Sequence, residues 1–226
     1  MTPRFSEAVD PVFLQVFDLL ERIDQGAAIS PIEERRKIDD LLKKADQRLI
    51  AEAQQWENGK YLLVAWIDEM LVSAYEWGGQ DWWRDNVLEW HVFRTRQCND
   101  RYFVLSNSSR SESLDNPVQL SFLGVVLGFR GLYRDVRLSR DLIKKHQLPN
   151  DLDEWTQQFG AATQLAQARW KEKSSNFTDD RNVKTATRIL ASEYLVWPLA
   201  AASILAIACF LIFALFGPLK DVIRAL

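Results

Sequence analysis

Residues 194–219 carry no charged side chain, and this 26-residue run constrains the rest of the chain more than any other feature. A helix rises about 1.5 Å per residue, so crossing a hydrocarbon core roughly 30 Å thick takes about 20 apolar residues, which 195–216 supply. A chain so built is expected to divide into a body at 1–170, a charged linker or juxtamembrane helix at 171–193, a transmembrane tail anchor at 194–219 and a short tail at 220–226. Ala200, Ala201, Ala202, Ser203, Ala206 and Ala208 within the run are small enough to let two such helices approach in lipid; a lone helix would tolerate them equally.

The first residues, Met-Thr-Pro-Arg-Phe-Ser-Glu, show no basic segment followed by an apolar one. No cleavable export signal is therefore read there, and the body is expected in the cytosol with the short tail across the membrane. Cys98 in the body and Cys209 in the apolar run are not placed to pair, and reduced thiols suit that compartment. The 28 Lys and Arg are scattered among 31 Asp and Glu with no basic stripe, which argues against nucleic acid as a partner. Nine tryptophans are a heavy load: buried, they dominate a core; exposed, they mark a contact surface.

Val12, Phe13, Val16, Phe17, Leu20 and Ile23 recur at three- and four-residue steps, one face of a helix that Gly26 ends. Ser30, Pro31 and Glu33 have the form of an N-cap, an N1 proline and an N3 carboxylate, opening a second helix through Ile38, Leu41, Leu42, Ala45 and Leu49 to Trp56. Asn58-Gly59 reads as a break. Residues 61–67 are apolar at every position, as in a buried strand or a buried helix. Helix is favoured, because no alternating partner strand lies nearby and 68–74 continues in helix-tolerant residues up to Gly78-Gly79. A further helix is expected over 82–93, a polar loop over 106–116, and a central helix over 118–133 whose Gly124 and Gly128 admit close neighbours. Polar-faced helices over 139–146 and 151–170 follow, separated by Pro149-Asn150. The expected class is all-α.

Chemistry-bearing patterns are few. His91 and His146 fall in no metal-ligand spacing, and Gly124, Gly128 and Gly131 match neither a dinucleotide nor a phosphate-loop fingerprint, so no cofactor or metal is expected. Asp68-Glu69 is the oddity, two carboxylates set into an apolar helix. Helix neighbours project about 100° apart, which disfavours a catalytic dyad. The pair is read either as a structural ion pair, with Arg130 and Arg134 as cations on one face at the end of the central helix, or as a partner contact. Trp77, Trp82, Trp83 and Trp90 cluster around Gly78-Gly79. Trp82 and Trp83 cannot both face inward from one helix, so one is expected to pack and the other to serve as a contact anchor.

The segments Leu62-Leu63-Val64-Ala65-Trp66-Ile67-Asp68-Glu69, Trp77-Gly78 and Leu127-Gly128-Phe129-Arg130-Gly131-Leu132-Tyr133-Arg134, in that order and before an apolar tail, resemble the DotU/TssL (IcmH-like) family. These are inner-membrane subunits of bacterial type VI secretion systems. The resemblance implies a hook-like cytoplasmic body of two three-helix bundles, one C-terminal transmembrane helix and a short periplasmic tail. It implies a non-catalytic scaffold that joins an IcmF/TssM-like membrane partner to the baseplate of a contractile tail, with self-association; the cell-wall binding that some members add is not carried over. Asp68 and Glu69 match the family's acidic pair, beside the implied contact surface; Trp77, Gly78, Gly128, Phe129, Arg130, Gly131, Tyr133 and Arg134 match its motifs. The competing readings are a membrane-anchored enzyme using the two carboxylates and a generic tail-anchored adaptor.

Overall fold

A computed structural model of the chain describes residues 1–179, and the expectations for 180–193, the span at 194–219 and the tail at 220–226 lie outside the described residues. Among the described residues the structure is all-helical, and no helix there is long and apolar enough to cross a membrane. Residues 1–171 form one compact unit, and the description below concerns it.

Helix α1 (Pro3–Asp24) begins well before the periodic pattern, because Phe5, Ala8 and Val9 also face the core. Helix α2 (Pro31–Arg48) opens as its sequence reads: the Ser30 hydroxyl accepts the Glu33 N–H and Pro31 fills the first turn. The helix stops short of Trp56. A 3-10 turn (Ile50–Glu52) interrupts the chain, and Trp56 packs edge-on against Phe5 with its indole N–H donated to Asp46 at 2.7 Å.

Helix α3 (Ala53–Glu69) runs straight through Asn58-Gly59, where the sequence reads as a break. That glycine serves a contact instead of a turn. A Cβ on Gly59 would stand 2.7 Å from the Phe5 ring, and Asn58 donates to Ser109 at 3.1 Å. The ambiguous apolar run 61–67 is helical and buried at every position.

The chain leaves α3 through a π turn (Met70–Ala74), then forms α4 (Gln80–Asp85), α5 (Leu88–Phe93), α6 (Cys98–Ser111) and α7 (Asp115–Val126). Two expectations fail here. The single helix over 82–93 is two short ones, and most of the polar loop over 106–116 is the second half of α6. Ser106 and Ser109 are fully buried there, and the Ser106 hydroxyl is donated back to the Tyr102 carbonyl at 2.7 Å, which lets a polar residue sit inside a helix without an unpaired group.

The central helix also ends earlier than expected. At the end of α7 the Phe129 N–H bonds the Gly124 carbonyl and the Gly128 N–H bonds the Val125 carbonyl, a Schellman closure that requires the φ of +109° found at Gly128. A 3-10 turn (Gly131–Asp135), α8 (Val136–Lys145) and α9 (Leu152–Asp179) follow. Helix α1 packs on α2, while α3 packs against α5, α6 and α7. That central position explains why residues 61–67 of α3 are apolar on all sides.

Candidate functional site

The acidic pair lies where α3 passes into the π turn, and both carboxylates are buried. Asp68 reaches across to the α4–α5 elbow. One oxygen accepts the Leu88 N–H at 2.8 Å and the Trp83 indole N–H at 2.9 Å; the other accepts the Glu89 N–H at 2.8 Å. These are the first backbone donors of α5, whose own preceding residue, Val87, offers no capping side chain. Asp68 thus caps a helix from which it is separated by 20 positions, and this cap splits the expected helix over 82–93 in two.

Glu69 does the same for the next element. Its oxygens accept the backbone N–H of Arg130 at 2.8 Å and of Gly131 at 2.9 Å, together with the Arg134 guanidinium at 2.7 Å. The cation that pairs with the acidic pair is therefore Arg134. The Arg130 side chain does not share its face, because the chain is no longer α-helical there. It turns back onto the Val125 and Phe129 carbonyls, both at 3.1 Å, and closes the end of α7.

A third carboxylate completes the set and was not singled out in the sequence. Glu89, fully buried, accepts from Tyr61 at 2.5 Å, Thr95 at 2.8 Å and the N–H groups of Gln97 at 2.8 Å and Cys98 at 3.1 Å, so it anchors the start of α6. Nothing in the spacing around Glu89 announces this. The donors belong to a loop that only the fold brings round, although the position of Glu89 just ahead of the polar stretch 94–101 was a faint signal.

The remaining motif residues have comparable tasks. The Trp77 indole and the Gln80 amide donate to the Leu71 and Val72 carbonyls at 2.9 and 2.8 Å, groups that the π turn leaves without helical partners. Phe129 stacks on Tyr102 with ring centroids 3.8 Å apart, and the Tyr133 hydroxyl donates to the Pro149 carbonyl at 2.7 Å. Gly131, at φ +46°, leaves no room for a Cβ, which would stand 2.7 Å from the Asn99 carbonyl oxygen. Gly78 is exposed, with open space where its Cβ would be. Trp83 is fully buried, while Trp82 is half-buried and Trp90 is 48% exposed. Of Trp82 and Trp83, one of which was expected to pack and the other to show, Trp83 packs and Trp82 keeps surface.

Electrostatically the site is held still. Burial pushes the Asp68 carboxyl up to about 6, against the pull of its three donated N–H groups and of Arg35, so it is ionised at neutral pH. Burial pushes up both the Tyr61 hydroxyl and the Cys98 thiol, with Glu89 adding to each. Tyr61 therefore stays a donor, and Cys98 is a protonated, weakly nucleophilic thiol. The cleft that Asp68, Glu69, Ser73, Cys98, Asn99 and Arg134 line holds about 240 Å³, below the roughly 300–1,000 Å³ usual for small-molecule sites.

Among the described residues, then, the buried carboxylates of an all-helical body bind its own backbone and hold the turns that follow α3 and α7. The family model for type VI secretion system protein DotU matches residues 4–217, and the chain belongs to that family. It is accordingly a subunit of a type VI secretion system, from a family of membrane-associated structural components. No match was found among curated proteins or among solved structures.

Proposed function

We propose that this chain is a non-catalytic scaffold subunit of the type VI secretion membrane complex. Its body lies in the cytoplasm, residues 194–219 form a single inner-membrane span, and residues 220–226 reach the periplasm. It links an IcmF/TssM-like membrane partner to the baseplate of the contractile tail and self-associates in the membrane. The hook-like grouping of the body into two three-helix bundles belongs to the same reading.

The family match across both the helical body and the apolar run carries this reading. The saturated carboxylates support it. A general acid or base must reach the proton it transfers, and every oxygen of Asp68 and Glu69 already accepts at least one N–H. We assign Asp68 and Glu69 to the support of the contact surface, to which the half-buried Trp82 and the exposed Tyr75 and Glu76 contribute. Tethering to a plane raises the effective concentration of each weak contact, so modest interfaces add up to stable assembly.

Copurification of the full-length chain from bacterial membranes in mild detergent tests the proposal. An IcmF/TssM-like protein and baseplate subunits are expected to come with it, and Trp82→Ala is expected to lower baseplate recovery while leaving the membrane partner bound. Recovery of the chain alone from several detergents would overturn the scaffold reading.

A further inference from the structure

Helix α8 is amphipathic in the wrong sense for a helix that only covers a core. Ile143 is its one buried residue, while Leu138 and Leu142, one turn apart and about 100–140° round the helix from it, are 85% and 38% exposed. The same helix carries Arg137, Arg140, Lys144 and Lys145, all exposed, against the single carboxylate Asp141, with Lys145 bordering the leucine pair and the other three farther round the exposed surface. None of the four cations forms an ion pair among the described residues, although ion pairs are frequent elsewhere on the body. The scatter of charge that holds for the whole chain, net −3, fails on this one helix.

Exposed leucines on a helix that also carries unpaired lysine and arginine are the composition of a helix that lies in the headgroup layer of a bilayer. Two leucines and four cations bind such a surface weakly from free solution. Within a chain that also carries the apolar run 194–219 the surface is already at hand, and weak contacts suffice. We propose that α8 docks flat on an anionic lipid surface, leucines toward the acyl chains and basic side chains among the headgroups, and so fixes the orientation of the body against the membrane. The proposal uses the membrane-anchored reading above for proximity alone. The other occupant such a face would fit, an acidic protein surface, is an outcome of the test.

The test uses the full chain with Cys98→Ser and Cys209→Ser, carrying an environment-sensitive fluorophore at Leu138→Cys. It is placed in vesicles of phosphatidylcholine alone or mixed with phosphatidylglycerol, each containing lipids brominated on the acyl chains as quenchers. Flotation with both vesicles establishes anchoring. Strong quenching is expected in the anionic vesicles and little in the neutral ones. Each basic side chain near an anionic surface is worth about five-fold in binding, so Lys144→Glu with Lys145→Glu is expected to lower the docked fraction at least ten-fold. Lys144 and Lys145 are exposed, and unchanged near-ultraviolet circular dichroism verifies the fold. A chain that floats with both vesicles yet shows equal quenching in the two lipids, or quenching unchanged by the charge reversals, overturns the docking of α8 and leaves the anchor intact. A chain that floats with neither defeats both. Shielding of the fluorophore only on addition of an acidic partner protein assigns the face to protein and also overturns the lipid proposal.

Discussion

Glu69 engages three donors with two oxygens, and the two partners it holds most deeply are backbone N–H groups that have no alternative acceptor. Gln in its place keeps the shape but turns one acceptor into a donor facing another donor. Leaving a buried donor unpaired costs about 1–3 kcal/mol, and the weakened pairing with Arg134 adds to it, so Glu69→Gln is expected to destabilise the full-length chain by about 2–3 kcal/mol. Arg134 is half exposed, and Arg134→Gln is expected to cost about 1 kcal/mol or less. Urea unfolding of both variants checks this; equal costs would show that the ion pair, and not the backbone capping, is what Glu69 contributes. The acidic pair was legible in the sequence because two carboxylates interrupt an apolar helix. Arg134 was legible as its cation; the backbone donors were not, since the N–H groups of Leu88, Glu89, Arg130 and Gly131 lie 20 to 62 positions away.

At the scale of elements, the turns after α3 and α7 decide the geometry. Two motif glycines that look alike in sequence are expected to behave oppositely. Gly131→Ala meets the Asn99 carbonyl and the Phe103 and Phe129 rings at a positive φ, and is expected to lose about 2–4 kcal/mol through strain and overpacking. Gly78→Ala meets nothing and is expected to stay within about 0.5 kcal/mol of the parent. Thermal unfolding of the two variants discriminates them, and comparable midpoints would refute the close packing described for the α7–α8 turn. Helix interiors with clear periodicity, such as α1 and α2, were readable. Boundaries failed wherever a residue's local habit was overruled by a neighbour: Gly59 by the Phe5 ring, the serines of α6 by backbone acceptors one turn back, and residues 86–87 by the cap from Asp68.

At the scale of the whole molecule, Asp68 ties α3 to α4 and α5, so its titration is read in global stability. Its value in the fold, about 6, lies above the ordinary 3.8, so the fold favours the protonated form. The stability this contributes is complete below about pH 4 and is lost as pH rises through about 6, a swing of about 3 kcal/mol. Wild type is therefore expected to lose about that much relative to Asp68→Asn between pH 4 and pH 7, measured by urea unfolding of the full-length chain; parallel pH profiles would exclude Asp68 as the titrating group. The sequence alone determined the helical class, the composition of α3 as a buried central helix, the apolar run at 194–219 and the family, because hydrophobic period, charge and motif order are properties of the chain read along its length. Tertiary structure alone decided what the motifs do: which N–H groups the carboxylates cap, that Glu89 joins them, that Trp83 is buried while Trp82 keeps surface, and that α8 shows its leucines to solvent. Those outcomes depend on which distant segments meet, and no local pattern encodes the donors and voids that a neighbour brings.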